Sequence, residues 1–246
     1  MSRPDAVIVT GASRGLGRAV VQRCMAEGVP VLGIARTAGA AESLTLDLSD
    51  LAGTERAVRA WIDGQPYRRL AVVCAAGTLG QQGGILDGDL ADWGRTLQTN
   101  VLGNFAVIRA LLPRMIENQY GRIVTVAGGG AAYAYPLFSG YALSKTAVVR
   151  ATENLDAELR GKGDFLTVCL APGAMETEML AKVRAAGAEV KTTVAIEEPV
   201  EFIANFIRAE TCGFSGRFVH VRDTWRDWLM PEPVPGDRWM LRRIEK

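Results

Sequence analysis

Residues 6–17 read AVIVTGASRGLG: the run Ala6-Val7-Ile8-Val9-Thr10, then Gly11-Ala12-Ser13-Arg14-Gly15-Leu16-Gly17. The first five residues are apolar and β-branched, which predicts a strand buried on both faces. The next seven hold three glycines and run into a helical pattern over Leu16–Glu27. Glycines at such a turn let it close tightly and let backbone N–H groups approach a pyrophosphate at the positive end of a helix. The stretch therefore predicts nucleotide binding. The plainer alternative is an ordinary strand–helix turn.

Working outward, the same rhythm recurs. Further short apolar runs predict strands at 30–35, 70–75, 122–127, 166–171 and 217–221. Between them, apolar residues at three- and four-residue steps predict helical segments at 51–63, 93–118 and 141–160. Alternation of fully apolar strands with helices points to an α/β fold: one doubly wound parallel sheet of Rossmann type, with helices on both faces. The expected organisation is a single domain over 1–246. Two segments break the rhythm: a polar, Ala- and Gly-rich stretch at 176–199, expected to be a helical substrate flap, and a tail at 222–246. That tail carries Trp225, Trp228, Trp239 and the prolines of PEPVP, so it cannot be one long helix. It is expected to pack on its own domain or on a sister subunit.

A chain of 246 residues with 48% apolar and 22% charged residues can bury a sizeable core. Lysine and arginine number 28 against 27 acids, leaving +1, so neither nucleic acid nor an anionic membrane is an expected partner. Cys24, Cys74, Cys169 and Cys212 form no C-x-x-C pair and sit among apolar residues, which suits a reducing compartment. With no signal-like start and no apolar stretch of ~18 residues, the expected location is cytoplasmic. The single histidine, His220, removes most metal sites and the common His-based triads; no metal is expected.

TGASRGLG at 10–17, Asp47-Leu48, Ala75-Ala76-Gly77, Asn100, Tyr141-x-x-x-Lys145 and Pro172-Gly173 occur in one order and spacing. In that order and spacing the chain resembles the short-chain dehydrogenase/reductases, from about Val7 to Val221. The resemblance implies NADP(H) or NAD(H) held by Gly11, Ser13, Arg14, Gly15, Leu16 and Gly17. It places Asp47 and Leu48 at the adenine, and Ala75, Ala76, Gly77, Pro172, Gly173 and Thr177 along the rest of the cofactor. Where the family has Asn-Asn-Ala-Gly this chain has Cys74-Ala75-Ala76-Gly77, so amide support for that loop is expected to weaken. The second strand ends in Ala35-Arg36 with no acid, and Arg14 lies in the turn. Two arginines suit a 2′-phosphate, so NADPH is expected over NADH.

Tyr141 and Lys145, four apart, share a helix face. An ammonium beside a phenol favours the phenolate, so Lys145 is expected to lower the Tyr141 pKa. By resemblance, Tyr141 protonates the alkoxide, Lys145 also binds the nicotinamide ribose, and Asn100 orders a relay water; all three also count among the cofactor contacts. The family serine thirteen residues before the tyrosine is missing: the position is Gly128, within Ala127-Gly128-Gly129-Gly130. Its role, polarising the substrate carbonyl, falls to backbone N–H groups, water, a substrate hydroxyl, Ser139 or Tyr133. The expected activity is interconversion of a ketone and a secondary alcohol, with a sugar-like or natural-product intermediate as the small-molecule substrate in a biosynthetic pathway. Two alternatives stand beside it: a weakly catalytic NADP-binding sensor or partner-binding protein, and a redox-neutral epimerase or eliminase retaining NADP. The resemblance also implies a homodimer or homotetramer.

Overall fold

The computed structural model describes residues 3–39, 41–190 and 192–241. Its seven strands form one all-parallel sheet in the order β3-β2-β1-β4-β5-β6-β7. They are β1 (Ala6–Thr10), β2 (Val31–Ala35), β3 (Glu42–Thr45), β4 (Leu70–Cys74), β5 (Tyr120–Val126), β6 (Asp164–Ala171) and β7 (Arg217–His220). The helices are α1 (Gly15–Ala26), α2 (Leu51–Asp63), α3 (Leu90–Leu97), α4 (Asn104–Glu117), α5 (Ser139–Leu159), α6 (Glu178–Ala185) and α7 (Glu197–Phe206). No helix of the described residues is long and apolar enough to cross a membrane.

Side-chain alternation along the strands splits the core in two. Val7, Val9, Val73, Val124 and Val168 face α1 and α7, while Ala6, Ile8, Val72 and Ile123 face α2 and α4. Because both faces are covered, every residue of β1 is fully buried, as its unbroken apolar run requires. Sheet register then aligns Thr10 with Cys74, Cys74 with Thr125, and Thr125 with Cys169. The loops that leave this row share one edge. The strand order reverses between β1 and β4, so a crevice opens there at the carboxyl ends of the strands.

Three elements differ from the sequence reading, one of them α7, which was not expected and whose first turn falls at the end of the stretch read as the flap. The segment 93–118 is not one helix: α3 and α4 are joined by a π-helical stretch, Gln98–Gly103. β3 was not expected, because it is a half-exposed edge strand whose Glu-Ser-Leu-Thr sequence has no apolar run. The described part of the tail packs on its own domain. Trp225 is buried, its indole N–H donating to the Val221 carbonyl at 3.0 Å, and Trp239 sits edge-on to Phe214. Leu241 N–H donates to the Glu153 carboxylate at 2.9 Å, tying the tail to α5. Residues 242–246 of the tail lie outside the described residues.

Candidate active site

The crevice is a cleft of about 2060 Å³ that runs from the turn after β1, past Arg36 and Asp47, to Tyr141, Lys145 and the α6 segment. The turn needs glycine at two points. Gly11 has φ +68°, and a β-carbon there would lie 2.9 Å from the Ala76 backbone. A β-carbon on Gly17 would collide with the Gly11 carbonyl. The N-cap residue of α1, Arg14, makes no side-chain capping bond, and the first turn holds no acid. The positive end of α1 thus faces the cleft uncapped by side chains, a cradle for an anion.

The loop after β4 is supported differently from expectation. Cys74 does not act as an amide would: it is buried, its thiol is pushed up to about 12 by burial, and it donates to the Asn104 carbonyl. Support comes instead from Asn104, the first residue of α4. Its Oδ1 accepts from Thr10 Oγ1 at 2.6 Å, and its Nδ2 donates to the Ala76 and Asn100 carbonyls, each at 3.0 Å. Thr10 Oγ1 in turn accepts from Ala76 N–H at 3.0 Å. The loop is thus held by one amide from the start of α4 and by the Thr10 hydroxyl at the end of β1. Asn104→Ala leaves buried polar groups unpaired and is expected to cost about 2–3 kcal/mol, read from a shifted urea midpoint with unchanged slope.

Asn100 lies in the π-helical stretch, a geometry frequent at functional sites. Its Oδ1 accepts from Thr78 N–H at 2.8 Å, and its Nδ2 donates to the Thr78 carbonyl and to Ser144 Oγ, both at 2.9 Å. Ser144 donates onward to the Tyr141 carbonyl at 2.7 Å. Gly77 lies over this group, with a β-carbon position 3.4 Å from Lys145 Nζ and 3.5 Å from Asn100 Oδ1.

Tyr141 and Lys145 are buried on one face of α5, but the expected ammonium–phenol pairing is not what governs them. Lys145 Nζ donates to the Val126 carbonyl at 2.8 Å and lies 5.6 Å from the Tyr141 ring centroid. Burial lowers the Lys145 pKa to about 8. Burial likewise pushes the Tyr141 phenol above its ordinary value, followed by the neighbouring Tyr135 and Tyr133. Desolvation governs both shifts, and the ammonium bonds a backbone carbonyl.

Gly128 has extended backbone, φ −172° and ψ 175°, which any residue adopts. What it lacks is room: a β-carbon there would lie 2.5 Å from Tyr141 Oη. The tyrosine hydroxyl occupies the place of the missing side chain. Tyr135 stacks on Phe138 with centroids 5.4 Å apart and lies 6.3 Å from the Tyr141 ring, so an aromatic wall borders this end of the cleft.

The other sequence-derived cofactor residues all line the cleft, whereas Asn100 and Ser139 are not among its lining residues. Arg14 bonds Glu178 of α6 at 2.7 Å, both side chains being mostly exposed. Asp47 is committed to Ser49, accepting its N–H at 2.9 Å and its hydroxyl at 2.8 Å; these bonds, then Arg36, hold its carboxyl below the usual range. Leu48 is buried behind it, beneath Gly103. Thr177 caps α6, accepting from Leu180 N–H, and its methyl lies 3.8 Å from a Gly15 β-carbon position. Gly173, at φ +77°, turns the chain after Pro172 so closely that a β-carbon would meet Val194.

Asn104, Ser144 and His220 were missed. His220 ends β7 opposite Ala171, its Nδ1 accepts from Arg222 N–H at 3.1 Å, and its Nε2 lies 3.8 Å from the Gly173 β-carbon position. Its place at the end of the last strand was the available signal. Among the described residues, no group of three His, Cys, Asp or Glu side chains suits a metal ion.

An α/β sheet with an anion cradle at the β1–α1 turn and a buried tyrosine and lysine beside it defines a class of nucleotide-dependent enzymes. The sequence matches the short chain dehydrogenase family over residues 5–188, and the chain belongs to that family. It is 28% identical to a short chain dehydrogenase of Monascus ruber over 93% of this chain and 80% of that one. It is 33% identical to a 2-dehydro-3-deoxy-L-rhamnonate dehydrogenase (NAD(+)) of a Sphingomonas species, over 70% of this chain and 73% of the relative. Its fold is similar to that of a Beutenbergia cavernae protein solved with NADP at low occupancy. The TM-score is 0.80 at 26% identity, with 92% of this chain and 98% of that chain covered. The protein is thus an oxidoreductase of a family acting on alcohols and carbonyls.

Proposed function

We propose that the protein interconverts a ketone and a secondary alcohol with NADP(H) as the hydride carrier. The observation that carries this reading is the meeting, in one cleft, of the uncapped α1 terminus with the buried Tyr141 and Lys145. The cradle fits a pyrophosphate, since no side chain caps the α1 terminus and Gly11 and Gly17 let the turn close tightly around it. When bound, the nicotinamide supplies a hydride to the carbonyl carbon. Tyr141 Oη gives its proton to the carbonyl oxygen as that oxygen gains charge. Lys145 Nζ, bonded to the Val126 carbonyl beside Gly77, would donate to a ribose hydroxyl of the bound cofactor. Asn100 fixes Thr78 and, through Ser144, the first turn of α5.

The segment 176–199 serves as the substrate flap. α6 lays Met179 and Val183 against Phe138 and Tyr141. Arg222 ties the far end, bonding Thr192 Oγ1 at 3.0 Å and the Thr193 carbonyl at 2.7 Å. The tail contributes Trp239 and Met240 to the same cleft. A sugar-like or natural-product ketone suits this mixture of aromatic faces and polar rim.

The preference for NADPH rests on Arg36 directly after β2, where the chain carries no acid, and on Arg14 in the turn. The Arg14–Glu178 pair is exposed and worth little, so a phosphate displaces it readily. The test is a fluorescence titration with NADPH and NADH. Wild type is expected to favour NADPH, and Arg14→Ala with Arg36→Ala to lose about 10–100-fold of NADPH affinity while NADH binding stays within about twofold. Equal loss for both cofactors would remove the 2′-phosphate role.

A further inference from the structure

The family position for a carbonyl-polarising hydroxyl is Gly128, and Tyr141 Oη fills the space there. The next glycine is filled in the same way: a β-carbon on Gly129 would collide with Tyr133 Oη. A phenol hydroxyl thus lies at the β-carbon position of each of two consecutive glycines. Neither could lie there if its glycine carried a side chain. Tyr133 is 63% exposed, yet its hydroxyl is turned back onto the end of β5 rather than out to solvent. Its ring is held edge-on by Tyr135, with centroids 6.5 Å apart, and Tyr135 is held in turn by Phe138. Tyr133 also lines the cleft and is close enough to Tyr141 to raise its pKa.

Resting on the oxidoreductase reading, we propose that Tyr133 is the second hydroxyl donor of the active site, polarising the substrate carbonyl, and that Gly128 and Gly129 admit the two phenols. A carbonyl oxygen has two lone-pair directions and can accept from both hydroxyls at once. In reduction the carbonyl carbon takes the hydride, the C=O π pair moves to oxygen, and that oxygen takes the Tyr141 proton. The products are a secondary alcohol, NADP⁺ and a Tyr141 phenolate that is reprotonated from solvent. Tyr133 keeps its proton throughout and only donates a hydrogen bond. Its hydrogen bond strengthens as the oxygen gains charge, which is where a donor accelerates the step.

Two measurements test this. The first is a crystal structure of the wild-type protein with NADP⁺ and 2-propanol as probe alcohol. An alcohol or water oxygen within about 3.2 Å of both Tyr141 Oη and Tyr133 Oη is expected. A Tyr133 ring turned away, with its hydroxyl more than about 4 Å from the oxygen that Tyr141 holds, overturns the assignment. The second uses Tyr133→Phe, which keeps the ring and the wall, on the ketone that wild type reduces fastest in a panel of aryl, cyclic and polyhydroxylated ketones. The expected result is a kcat lower by about 10²-fold, with NADPH affinity and Tm unchanged. An unchanged kcat, or a loss that tracks Tm, overturns it. Failure of wild type to bind NADP(H) at all would instead strike the oxidoreductase reading, and if wild type binds NADPH but reduces no panel ketone, the crystal structure decides alone.

Discussion

Tyr141→Phe is expected to lower turnover by about 10²–10⁴-fold, the span that a positioned general acid contributes. NADPH affinity is expected to stay within about twofold. The ring is buried among Phe138, Tyr135 and Leu79, and phenylalanine keeps all of that contact. What is lost is the hydroxyl beside Gly128, the one proton donor the mechanism requires. Oxidation of NADPH followed at 340 nm and a parallel binding titration separate the two effects. A variant that binds cofactor and turns over at the wild-type rate would falsify the proton-donor role. A variant that loses both cofactor and catalysis would mean that Tyr141 holds the cleft together rather than acting in it.

Gly17→Ala should be nearly as damaging, for a different reason. The added methyl would collide with the carbonyl of Gly11, which is backbone and cannot swing aside. Either α1 tilts away from the turn or the turn opens, and both displace the N–H groups at the positive end of α1. NADPH affinity is expected to fall at least about 100-fold, and overpacking adds a stability loss of about 1–3 kcal/mol. Gly94→Ala is the control. Gly94 is exposed inside α3 and a β-carbon there meets nothing within 4 Å. The same change at that site should stabilise by about 0.5–1 kcal/mol, because alanine is the better helix former. Denaturant midpoints and cofactor titrations on the two variants give opposite signs if contact, rather than loss of glycine as such, is the cause.

The two variants mark the line between what the chain showed on its face and what it did not. The β1–turn–α1 unit was legible because its signals are local: an apolar run, three glycines, then a helical period. The doubly wound sheet followed from repetition of that unit. Tyr141 with Lys145 was legible because four residues is one helical turn. The break in the helix at Gln98–Gly103 was not, since its apolar period continues through the π stretch and only the backbone reveals the change of winding. β3 escaped because an edge strand with one solvent-facing side needs no apolar run. Asn104 escaped because its partners, Thr10 and Ala76, are 94 and 28 residues away.

The absence of a serine at 128 was visible in the sequence; its meaning was not. Gly128 read as a deletion of chemistry, and only packing showed that the vacated volume is taken by the hydroxyl of Tyr141, with Gly129 beside it taken by that of Tyr133. The charge state of the pair was likewise out of reach. Spacing said that ammonium and phenol share a face, but burial decides which way each pKa moves. By itself the sequence determined the family, the doubly wound sheet, the glycine turn and the pairing of Tyr141 with Lys145 on one helix face, because each rests on local period and spacing. The tertiary structure alone decided which groups touch across the strand ends, what fills the space of an absent side chain and how far each ionisable group is desolvated. Those depend on chain segments brought together only by folding.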